Sequence, residues 1–184
     1  LAHAEILSQL ERNPAAVELI DKTLGETPDP RFAAVRADLA AGKPLAFDMV
    51  RDATDGLAEV FFTVASALQG ESADINTLAY ARMAEHLAPD DADMLFLVAE
   101  LLEAQAQHDL ATVTYAKIPS EDPAYVAAEL GRADALIAAG RTEAGIEVLE
   151  QLARNHPDRA DIWGALGDIL RRQERFKESA AAYD

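Results

Sequence analysis

The chain has 184 residues, half of them apolar but only 6% aromatic, with a formal net charge of −17. So acidic a chain is a poor match for nucleic acid or anionic membrane surfaces, and it favours a basic partner instead. Cysteine is absent, which excludes a disulfide framework and a thiolate zinc site, and no apolar run approaches the ~20 residues of a membrane span.

Taken in order, residues 1–13 are expected to form one helix, closed by Pro14. A short helix over 14–24 offers Val17, Leu19, Ile20 and Leu24 for packing, and Gly25 with Thr27-Pro28-Asp29-Pro30 breaks it. Another helix over 31–41, carrying Phe32, Val35 and Leu39, ends at Gly42. Residues 1–42 thus read as irregular N-terminal helices, the end of an upstream repeat followed by a helical hairpin. Residues 43–57 read as a loop or linker, either strapped along the helices or a hinge; Phe47, Met49 and Val50 favour the strap.

Beyond this point the chain becomes periodic, with helices expected at 55–70, 73–87, 92–105, 108–117, 124–139, 142–155, 159–173 and from 176 onward. Pro89, Pro123 and Pro157 stand 34 residues apart, and Leu68, Leu102, Leu136 and Leu170 keep the same interval. Two further columns are always small: Ala65, Ala99, Ala133, Gly167 and Thr77, Ala111, Gly145, Ser179. A fixed period of this length means stacked supersecondary units, each too small to bury its own apolar face. The small residues let neighbouring helices approach, while each proline ends a unit and Asp122 or Asp158 is placed to cap the helix that follows. The units are 58–91, 92–125, 126–159 and, in part, 160–184.

Trp163, Leu166, Gly167 and Leu170, followed by Phe176, Ser179 and Tyr183, resemble the tetratricopeptide repeat family. Phe61, Val64, Ala65, Leu68 with Ala84 and Pro89, and Leu95, Val98, Ala99, Leu102 with Ala111, Tyr115 and Pro123, follow the same pattern. The unit 126–159 is degenerate, with Glu129 and Arg132 where Trp and Leu would stand. The resemblance implies an all-α fold, a right-handed α-solenoid of antiparallel helix pairs, used for binding proteins or peptides. The chain reads as a piece of a longer protein, and its Ala-rich, acidic, cysteine-free composition suggests a bacterial one.

No P-loop, GxSxG, HExxH or glycine-rich dinucleotide fingerprint occurs. His86 and Asp90 lack a third metal ligand nearby, and Pro89-Asp90-Asp91-Ala92-Asp93 lacks the glycine and closing glutamate of a calcium loop. A non-catalytic chain without metal or cofactor is expected, and Trp163 and Tyr115 are expected in the core.

In the family the first helices line a concave groove. Carried onto this chain, that face holds an apolar row, Phe62, Phe96, Leu130 and then Gly164, beside a row of Ser66, Glu100, Asp134 and Asp168. Glu59, Asp93, Ala127 and Asp161 form a third row, and Gln69, Glu103, Ile137 and Arg171 a fourth. Such a face suits a peptide or partner protein with apolar anchors and flanking Lys or Arg. The competing reading makes these phenylalanines packing residues and the acids a solvated face. Relatives that grip acidic tails use Lys and Asn in these columns, which this chain does not. Self-association through exposed terminal helices, giving a homodimer, and a regulatory role within a larger enzyme are the alternatives.

Overall fold

The computed structural model describes residues 2–24, 30–46, 50–70 and 75–184, the side chains of residues 2, 24 and 30–34 excepted. Thr27, Pro28 and Asp29, and Phe47 and Met49 of the expected strap, lie outside the described residues, as does the side chain of Phe32. Among the described residues there are eleven α-helices and no strand, and no helix is long and apolar enough to cross a membrane. They fall into two compact units, Leu1–Gly56 and Leu57–Asp184.

The first unit contains α1 (Ala2–Gln9), α2 (Asn13–Leu24) and α3 (Pro30–Ala40). Ala4, Ala16, Ile20 and Leu39 are buried at its centre, with Leu7, Val17, Val35 and Leu45 packed around them. Pro14 does not close α1. That helix stops at Gln9, because Glu11 adopts φ +59° and turns the chain. Pro14 instead lies in the first turn of α2, where its missing N–H has no helical partner to lose. The described part of the following segment is tied down: the Leu45 amide donates to Ser8 Oγ at 2.8 Å, and Asn13 Nδ2 donates to the Lys43 carbonyl at 3.0 Å.

From α4 onward the chain is an α-solenoid of helix pairs: α4 (Ala53–Gln69) and α5 (Ile75–Leu87), α6 (Ala92–Ala104) and α7 (His108–Tyr115), α8 (Tyr125–Ala138) and α9 (Thr142–Asn155), α10 (Ala160–Arg172) and α11 (Phe176–Tyr183). α4 begins two residues earlier than its periodicity suggests, because Asp52 Oδ1 accepts from the Thr54 and Asp55 amides at 2.8 and 3.0 Å. Asp91 caps α6 in the same way, accepting from the Met94 amide at 3.0 Å. The expected caps at Asp122 and Asp158 do not form. α8 starts at Tyr125, with the Asp122 side chain accepting from the Ala124 amide in the preceding turn, and α10 follows Arg159 without a side-chain cap.

Three of the four members of the leucine column, Leu102, Leu136 and Leu170, are core residues, alongside Leu95, Leu101, Ile146, Leu149 and Ile169, while Leu68 is half-buried. The two small columns meet across the last two helix pairs, Gly167 with Ser179 and Ala133 with Gly145. Ser179 Oγ donates to the Gly167 carbonyl at 2.8 Å. A Cβ on Gly145 would stand 2.9 Å from the Ala133 carbonyl oxygen and 2.7 Å from Ile137 Cγ1. Backbone cannot retreat there as a side-chain tip can. Gly145→Ala is therefore expected to cost about 1–3 kcal/mol by overpacking, despite alanine's better helix propensity. Chemical denaturation would show it as a lower midpoint at unchanged slope.

A device not visible as a residue pattern repeats with the helices. Ala106, Gly140 and Glu174 all have positive φ, at +56°, +79° and +59°, just past the ends of α6, α8 and α10. Each makes a left-handed C-terminal stop. The amides of Gln107, Arg141 and Arg175 reach back to the carbonyls of Leu102, Leu136 and Leu170 at 2.8, 2.9 and 2.9 Å. Only one of the three positions is glycine, so Ala106 holds a conformation that a Cβ disfavours. Ala106→Gly should stabilise the chain by about 0.5–1 kcal/mol, read as a raised thermal midpoint.

Candidate functional site

The first helices α4 and α6, with the start of α8, enclose a shallow cleft of about 310 Å³. Its walls include Phe62, Ser66 and Gln69 from α4 and Asp93, Phe96, Leu97 and Glu100 from α6, with Ala124 and Ala127 closing one end. Phe62 and Phe96 are half-buried and rest on the core, so they pack and line the cleft at once. Gln69 Nε2 donates to Glu100 Oε2 at 3.0 Å, linking α4 to α6 across the rim. The floor is apolar; the rim carries carboxylates.

One turn farther along α6, Glu103 accepts from the hydroxyl of Tyr115 at 2.7 Å. Tyr115 is 2% exposed, and its ring meets Phe96 edge-on with centroids 5.5 Å apart. Gly131 on α8 makes room for that ring, since a Cβ there would come within 2.6 Å of Tyr115 Cζ. Burial pushes the Tyr115 hydroxyl's pKa up, and the Glu103 carboxylate it bonds adds to the rise. Burial likewise lifts the Glu103 carboxyl above its ordinary range, with Asp134 and Glu100 pushing the same way against the Tyr115 hydroxyl and His108.

That shift has a definite sign. An acid whose pKa is raised on folding binds its proton more tightly in the native state, so its contribution to stability falls as pH rises through the window above the ordinary carboxylate value. Glu103→Gln, which keeps an acceptor for Tyr115, should therefore be at least as stable as the parent near pH 7. The difference should shrink as pH falls toward 4, in thermal melts run across that range.

Of the eleven expected groove residues, six line this cleft: Phe62, Ser66, Gln69, Asp93, Phe96 and Glu100. Glu103 lies one turn beyond them on α6, and Asp134 is exposed on α8. The other three are placed elsewhere. Leu130 packs into the cores around Ile162 and Leu166. Asp168 accepts from the Tyr183 hydroxyl at 2.8 Å and pairs with Arg171 at 3.1 Å, and those two partners hold its carboxyl below the ordinary range. Asp161, of the third row, is held down at about 2 by Arg159. The rows of the repeat do not contain Leu97, Ala124 or Tyr115. Leu97 and Tyr115 sit in packing positions, and only the tertiary arrangement aims them at the cleft and at Glu103.

The family model described as "Tetratricopeptide repeat" matches residues 130–184. No curated protein matches the chain in sequence. Among solved structures, "MamA 41-end from Desulfovibrio magneticus RS-1" is similar at 15% identity with a TM-score of 0.61, over 98% of this chain and 86% of that one. "MamA MSR-1 C2" aligns at 14% identity with a TM-score of 0.59, over 98% and 88%. "Crystal structure of MamA" aligns at 9% identity with a TM-score of 0.61, over 98% and 90%. At such identities the likeness is one of fold.

Proposed function

We propose that this chain, which carries tetratricopeptide repeats, is a non-catalytic interaction scaffold that binds a peptide or partner protein along the acidic and apolar face of its first helices. The observation that carries this reading is the cleft between α4, α6 and α8, where two half-buried phenylalanines lie open between carboxylates. An apolar floor rewards burial of a ligand side chain, and the acidic rim, on a chain whose net charge is −17, selects for basic neighbours. A peptide array probed with the labelled chain should enrich sequences that combine Lys or Arg with Leu, Ile, Phe or Met. Enrichment of acidic peptides, or of none, would count against the reading.

A second reading is homodimerisation through the terminal helix α11. It rests on Phe176 and Tyr183, which are 64% and 52% exposed. Light scattering over a concentration series decides it. A mass that stays monomeric, or a dimer untouched by Phe176→Ser, removes this reading.

A further inference from the structure

Resting on the scaffold reading, the geometry points to a short footprint: we infer that the ligand is a linear peptide that seats one large apolar side chain on Phe62, Phe96 and Leu97 and one Lys or Arg over Glu103 and Asp134, leaving α10 uncovered. The acidic rows run the length of the first helices in sequence, yet in the structure their charge is not uniformly available. Asp161 and Asp168 on α10 are already paired with Arg159 and Arg171. Glu100, Glu103 and Asp134 have no ion pair among the described residues; Gln69 and the Tyr115 hydroxyl reach the first two, and Arg172 acts on Asp134 only at a distance. A basic ligand therefore gains its attraction over α6 and α8, beside the apolar cleft. Over α10 it would have to displace an arginine.

The spacing follows from the helix. Phe96, Glu100 and Glu103 lie at i, i+4 and i+7 on α6, so the anchor and the distal carboxylate are separated by roughly 10 Å along its axis. An extended peptide covers that distance in about three residues. The packed Tyr115, wedged between Phe96 and Gly131, fixes Glu103 relative to the cleft, so the two points of contact move as one.

The test is fluorescence anisotropy on the whole chain with labelled peptides carrying one central Leu and one Lys placed one to seven residues away on either side. Tightest binding is expected near a three-residue spacing, weakening with salt. Glu103→Gln combined with Asp134→Asn should weaken the best Lys peptide about tenfold and leave a peptide with norleucine for Lys unchanged. Ser66→Trp, made at an exposed cleft-lining position, should block both peptides without removing core volume. Asp161→Asn combined with Asp168→Asn should change binding by less than about twofold. Binding that is blocked by Ser66→Trp but depends on the α10 pair, or shows no spacing preference, overturns the footprint while sparing the scaffold reading. Failure of every peptide, basic or not, to bind overturns both.

Discussion

Leu102→Ala is expected to cost about 2–5 kcal/mol. The side chain is 1% exposed and belongs to the cluster joining α4, α5, α6, α7 and α8, so its loss leaves a cavity with several walls. Those walls are Leu, Val and Ala side chains already close-packed, which limits how far the site can collapse. The main-chain part of the same residue is untouched: its carbonyl still accepts the Gln107 amide that stops α6. The destabilisation is therefore a packing effect, separable from any loss of the turn. Because repeats contact only their neighbours, hydrogen exchange should accelerate first in α5 to α8 and least in α11. A thermal midpoint equal to that of the parent would refute the burial.

Glu129→Ala is expected to cost about 2–3 kcal/mol, while Glu129→Leu combined with Arg132→Leu is expected to be neutral or stabilising. Arg132 donates from Nε and Nη2 to both carboxylate oxygens of Glu129, at 2.7 and 2.5 Å. The Glu129 side chain is 10% exposed and that of Arg132 25%. Removing the glutamate strands a guanidinium that is mostly withdrawn from water. A fully buried pair would lose ~3–5 kcal/mol on such a change, and the partial exposure of Arg132 lowers the figure. Replacing both partners removes the desolvation cost together with the attraction. If both variants lose equally, the pair is worth more than apolar packing at this site, and the degenerate repeat is stabilised by charge.

The Glu129–Arg132 pair also shows how far the chain was legible in advance. In sequence these residues are two departures from the repeat, standing where large apolar side chains are expected. In the structure they are one unit, two residues at i and i+3 on α8 whose charges cancel in a fork. Apolar periodicity reports which face of a helix is buried, but it does not report whether two misplaced charges find each other. The same limit applied to the acidic face. Rows of Asp and Glu could be written down from the period, and Arg171 stands in the fourth of them, but the period does not report that Arg171 pairs with Asp168 or that Arg159 pairs with Asp161.

Order along the chain settled the fold class and the 34-residue interval. Leucine at a fixed spacing marks a buried stripe, small residues mark close helix contacts, and prolines mark ends, all of which are local properties of residues. Tertiary structure decided the rest. The left-handed stops at Ala106, Gly140 and Glu174 share a geometry and no common residue type, because the reach of the following amide back to the leucine carbonyl imposes the conformation whichever side chain is present. Likewise Tyr115 is a packing residue by its place in the repeat, and only the missing Cβ at Gly131 on the next helix lets its hydroxyl meet Glu103 beside the cleft. Contacts between helices depend on distances that spacing along the chain does not contain.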